Sequence, residues 1–101
     1  MKFVEEEASA IMSVRRVYRM GGTDMVVVCK VKKGLFLVGD RVYVASSYGV
    51  EDVCSIKGIA QFDRYFDGAP AGTRVQVTLD APNVNVRRGD SLFRKEDMTD
   101  A

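Results

Sequence analysis

The chain has 101 residues, 47% of them apolar and 29% charged, with a formal net charge of +1 and no histidine. That length suits one small domain. No apolar run approaches the roughly 20 residues that cross a bilayer, and the start MKFVEEEASA lacks the basic, then apolar, build of a secretory leader, so a cytoplasmic protein with no membrane partner is expected.

The charge is unevenly spread. Glu5, Glu6 and Glu7 lie at one end, and Glu96, Asp97 and Asp100 at the other, while every Lys and Arg except Lys2 falls between Ala8 and Lys95. The body is therefore basic, which suits a polyanionic partner such as RNA because neutralising phosphates releases counterions. A solvated surface of mixed charge is the plainer alternative.

Residues 1–11 read as a lead-in, helical or flexible, and residues 96–101 as an acidic tail; the domain proper is residues 12–95. MSVRRVYRM, Met12 to Met20, reads as a strand whose alternation slips once, since Val14 and Val17 are three apart, as at a bulge. Arg15, Arg16 and Arg19 would face solvent. MVVVCKV, Met25 to Val31, is β-branched, and GDRVYVA places Val42 and Val44 on one face. In VEDVCSIKGIA, Val50 to Ala60, Gly58 marks a bulge or a close backbone approach. TRVQVTL alternates strictly, with Val75, Val77 and Leu79 inward and Arg74 outward. SLFRK is the last strand. Glycine-rich turns separate these segments, and short strands so punctuated predict an all-β fold, a small closed antiparallel β-barrel of about six to seven strands. Cys29 and Cys54 fall in apolar runs and read as reduced, buried thiols.

Several segments resemble the translational GTPases. VKKGLFLVGDRVYV resembles their Val-x-x-Gly followed by Gly-Asp-x-Val. GIAQFDRYFDGAPAGTRV resembles their Gly-Val/Ile-x-Met-Phe…Ala-Gly-x-x-Val, with matching spacing from Gly58 through Phe62 to Ala71 and Gly72. RRGDSLF resembles the closing Arg-Gly-Asp/Glu-x-Leu, and VRRVY the opening Ile-x-x-Val-Phe. Together they span nearly the whole chain and resemble the second domain of elongation factor Tu and its relatives. That resemblance implies a β-barrel whose mouth is crossed by QFDRYFD, with Phe62 and Phe66 plugging the interior and Gly68 to Gly72 turning the chain back. An aromatic stripe among charges can alternatively stack bases, and Tyr65 stays open between the two roles.

The family's catalysis belongs to a separate GTPase domain. This chain has no G-x-x-x-x-G-K-[ST] loop, hence no GTP site, and without His neither Cys has a general base. No enzyme activity, cofactor or metal is expected. The resemblance implies contact with transfer RNA or the ribosome, but the family's acidic pair near the amino acid falls on Arg15 and Arg16. The Thr-Gly of the second strand falls on Val28 and Cys29, and a polar Asn on Arg74; an aromatic is kept as Tyr18. An aminoacyl pocket is therefore not expected. Arg15, Arg16, Arg19 and Arg74, with Tyr65, are instead candidates for binding RNA or a ribosomal component, since guanidinium groups pair with phosphate and stack on bases. The competing reading is solvated arginines, paired with Asp63 or Asp67. Another class of function is a protein-interaction module or homodimer using Tyr43, Tyr48 or Leu35-Phe36, and a third is a small-ligand site beside Cys54.

Overall fold

The structure, a computed structural model, describes residues 8–19, 24–46, 49–80 and 85–95, and leaves the side chains of Arg19, Glu51, Asp52, Val53 and Lys95 outside that description. Nine strands occur among the described residues: β1 (Ala8–Arg19), β2 (Asp24–Lys33), β3 (Leu35–Leu37), β4 (Arg41–Ser46), β5 (Gly49–Gln61), β6 (Arg64–Phe66), β7 (Gly68–Pro70), β8 (Arg74–Asp80) and β9 (Ser91–Lys95). No helix in the described residues is long and apolar enough to cross a membrane.

Six strands hydrogen-bond in the order β4-β9-β1-β2-β8-β5, and β4 pairs with β5 to close the ring. Every pairing is antiparallel. The all-β, closed architecture expected from the turn pattern is present. Small rings need strands that bend, and register shifts supply the bends. One falls between Val14 and Arg16, another between Ile56 and Gly58, where the broken alternation and the lone glycine predict them.

The period-two pattern decides what the ring encloses. Val27, Cys29 and Val31 of β2, Val42 and Val44 of β4, and Val75, Val77 and Leu79 of β8 all turn inward and are buried. Full burial of each Val or Leu contributes about 1.5–3 kcal/mol, less whatever the unfolded chain already hides.

Four expectations need correction. The lead-in expected over residues 1–11 is strand from Ala8 onward, with Ala8 opposite Lys95; residues 1–7, like the expected tail at 96–101, lie outside the described residues. The corner expected from Gly68 to Gly72 is half strand, since Gly68–Pro70 pairs with Leu35–Leu37 and only Ala71 and Gly72 turn. Phe62 and Phe66 do not plug the interior: they are 89% and 42% exposed. The physical reason is the turn. Phe62 and Asp63 are the two central residues of a tight hairpin, with φ of +50° and +63°, so β6 folds back along the outside of β5 as an added strand. The ring that fills the interior is Phe36, fully buried opposite Ala69 in the β3–β7 ribbon. Phe36 is therefore withdrawn from the expected exposed contact pair, while Leu35 stays 44% exposed.

Candidate nucleic-acid interface

The bulge in β1 sets the site. Val14 pairs with Cys29 and Arg16 with Val28, so Arg15 is the extra residue without a partner on β2. Two residues facing one let Val14 keep its place in the core while both arginines emerge outside. Without that slip, strict alternation would send one of them inward.

Arg74 opens β8, opposite Lys30 on β2. Its backbone carbonyl accepts a 2.9 Å hydrogen bond from Gln61 Nε2, and Lys30 Nζ donates to the carbonyl of Gly72 at 2.8 Å. The start of β8 is thereby tied to β5 and β2.

A fourth arginine arrives from the segment before β9. Residues 87–90 form a turn in which the buried Asp90 carboxylate accepts from the Arg87 N–H at 2.9 Å. Gly89, in the third position, has φ of +96°, the conformation a type II turn requires there. The turn is stapled to the β1 bulge: Gly89 N donates to the Val14 carbonyl at 3.0 Å and Val14 N to the Asp90 carbonyl at 2.8 Å. Arg88, in the second position, is left exposed beside Arg15.

Arg15, Arg16, Arg74 and Arg88 together line one concavity of about 710 Å³, floored by Val14, Val17, Val28 and Gly89. Among the described residues no carboxylate lines it, and the ion pairs Lys57–Asp24 and Arg94–Asp40 lie elsewhere. None of the four arginines takes part in either. Four guanidinium groups gathered there make the concavity a positive well. Arg16 is oriented by Tyr18, whose hydroxyl accepts from Nη1 at 2.8 Å.

Two further concavities continue from it. One of about 310 Å³ shares Val28 and Arg74 with the first and is walled by Phe62, Asp63 and Gln76. A smaller one of about 110 Å³ shares Gln61 and Val75 with the second and reaches Phe66 and Pro70.

Of the candidates, the fold therefore brings Arg15, Arg16 and Arg74 together. Arg19 follows on the same strand opposite Met25, its side chain outside the described ones. Tyr65 is 85% exposed on β6 but lines none of the three concavities. Arg88 was not among the candidates. The tetrapeptide Arg-Arg-Gly-Asp is readable as a turn, but its docking on Val14 is a contact across more than seventy residues. Tyr43 is half-buried against Phe93, with ring centroids 5.4 Å apart, and Tyr48 lies outside the described residues. Cys54 lines none of these concavities.

Solved structures share this architecture. Translation elongation factor SelB from Methanococcus maripaludis matches with a TM-score of 0.74 and 25% identity, both in its apo form and in complex with the GTP analogue GPPNHP. The chain is similar to a β-domain of a translational GTPase. The match covers 89% of this chain and 20% of the factor, so the chain spans about a fifth of the length of the protein it resembles. It is the kind of likeness that the motifs around Gly34, Gly58 and Gly89 imply, a fold of the elongation factor Tu second-domain type. No protein-family profile matches the chain, and no curated protein does.

Proposed function

We propose that this chain is a non-catalytic translation-factor-type β domain that binds RNA, free or within a ribosomal component, in its arginine concavity. The observation that carries the reading is convergence. Arg15 and Arg16 from a bulge, Arg74 from the start of β8 and Arg88 from a turn surround one concavity in which no carboxylate of the described residues takes part. Like charges gathered in this way repel one another, and a bound polyanion relieves that repulsion. A binding role also suits the two thiols. Burial pushes Cys29 up to about 12 and Cys54 to about 11, so neither is a thiolate nucleophile at neutral pH. Such a protein would work in the cytoplasm, where its RNA partner is.

The test is binding of a fluorescent RNA to the purified chain across a salt series. Affinity should fall steeply as salt rises, and R15E/R16E should abolish it. Affinity indifferent to both would refute the electrostatic reading.

A second reading rests on the β3–β7 ribbon. Leu35, Leu37 and Val38 are each 43–44% exposed there, an apolar ridge suited to a protein partner or a second copy. Light scattering at rising concentration separates the two readings: a mass that stays monomeric dismisses the homodimer.

A further inference from the structure

The register that closes the ring also gathers charge at one corner. Ala8 begins β1 opposite Lys95 at the end of β9, and the residues bonded to these two are acidic. Glu5, Glu6 and Glu7 lead into Ala8, while Glu96, Asp97 and Asp100 follow Lys95; Lys2 and Lys95 are the cations of the same two segments. Two acidic segments far apart in sequence therefore leave the ring side by side.

The arginine well opens farther along β1. Arg15 is seven residues beyond Ala8, about 23 Å along an extended strand. Glu5 is three residues from Ala8 and reaches about 10 Å from it at most. Asp97 reaches about 7 Å from Lys95, and even Asp100 only about 18 Å. The acidic corner as a whole falls short of its own well.

We propose that the well receives the acidic corner of a second copy of this chain, joining copies head to tail. The charges are complementary: four exposed guanidinium groups, in a well to which no described carboxylate contributes, meet a corner of opposite sign. A contact between unlike patches is heterologous, so each copy keeps a well at one end and a corner at the other, and assembly proceeds as rings or open chains. Exposed ion pairs are individually weak, and several together give association in about the millimolar range. The joint also bears on RNA binding. A neighbour's corner and a polyanion compete for the same arginines, so crowding of the protein opposes its hold on RNA.

Sedimentation equilibrium of the full chain at about 1 mM tests this in about 0.01 M and about 1 M salt, where charges act over roughly 30 Å and 3 Å. The weight-average mass should rise at least about twofold over the monomer in low salt and return to it in high salt. Two neutralised variants, E5Q/E6Q/E7Q/E96Q/D97N/D100N and R15Q/R16Q/R88Q, should each stay monomeric. Their equimolar mixture should stop at a heterodimer, because each supplies one half of the joint. As a control, K32Q/R41Q/R64Q removes as much charge as the well variant from exposed positions outside the well, and it should assemble like the parent. A parent that stays monomeric in low salt overturns the inference, as does a control that assembles no better than the well variant. Association that survives high salt overturns it too and points to the apolar ridge of β3. All three outcomes leave the RNA reading standing, since that is decided separately by the salt series with labelled RNA.

Discussion

Arg16 and Tyr18 lie two residues apart on the outward face of β1, and the guanidinium both donates to the tyrosine hydroxyl at 2.8 Å and sits 5.9 Å from the ring centroid. The pair is exposed, so it stabilises the fold by no more than about 0.5–1 kcal/mol. Its effect is to fix the direction of the Arg16 guanidinium, which on the proposed RNA reading would position it for a phosphate. Tyr18→Phe should lower RNA affinity about twofold and Tyr18→Ala somewhat more, with melting temperatures close to the parent. Unchanged affinity in Tyr18→Ala would remove the positioning role.

Neutralising the well one arginine at a time should change the salt dependence, not only the affinity. Each of Arg15→Gln, Arg74→Gln and Arg88→Gln should flatten the slope of log affinity against log salt by about 0.7 for a single strand. Arg64→Gln, exposed on β6 and outside all three linings, is the control. A slope equally altered by that control would show diffuse attraction in place of a defined site.

Asp63 shares the left-handed strain of Phe62, with φ of +63° at the second central position of its hairpin. Glycine is favoured there because it adopts such angles without a steric penalty. Asp63→Gly should stabilise the fold by a few tenths to about 1 kcal/mol, the gain being reduced by the greater entropy of an unfolded glycine. A urea titration reads this directly, and a lower midpoint would contradict it.

Gly34 presents the opposite case. A Cβ there would lie 2.2 Å from the Ser9 carbonyl oxygen and 2.9 Å from the Ala10 backbone, at a φ of +73°. Backbone cannot swing aside as a side chain can. Gly34→Ala should therefore cost roughly 3 kcal/mol or more, visible as a large drop in urea midpoint. A midpoint within error of the parent would mean that β1 and the β2–β3 connection do not pack as described.

Alkaline pH should weaken the fold through its buried thiols. Burial raises Cys29 from an ordinary value of 9.0 to about 12 and Cys54 to about 11. Above pH 9 the unfolded chain loses thiol protons that the folded chain keeps, so stability is complete below pH 9 and falls from there toward pH 12. The steepest loss is about 1.4 kcal/mol per pH unit for each thiol. The urea midpoint should drop between pH 8 and pH 10.5, and Cys29→Ala should reduce the drop. Iodoacetamide should label neither thiol at pH 8 without denaturant.

What could be read from the chain was whatever depends on neighbours in sequence. Val75, Val77 and Leu79 bury because alternation is a local rule, and the slip from Val14 to Val17 marks the bulge that displays two arginines. Gly58 marks the second bulge for the same reason. What escaped depends on contacts between distant segments or on one backbone angle. An aromatic run such as Phe62, Tyr65 and Phe66 looks like core by hydrophobicity, and only two left-handed residues turn it outward. Phe36 looks exposed beside Leu35 because both are apolar, until pairing with Ala69 sets which one faces in. Arg88 joins Arg15 only through the hydrogen bonds between Gly89, Asp90 and Val14. Three of the well's four arginines were legible, two in VRRVY and Arg74 in TRVQVTL; Arg88 required the ring to be closed.

That closure bears on how the protein is made. β9 lies between β1 and β4, with Ala8 opposite Lys95, so the earliest strand described here completes its pairing with the last. Until synthesis passes Lys95, both flanks of the missing strand stand raw and can recruit strands from other nascent chains. A chain lacking Ser91–Lys95 would expose a sticky, unsealed sheet, which makes those five codons decisive for solubility as well as for shape.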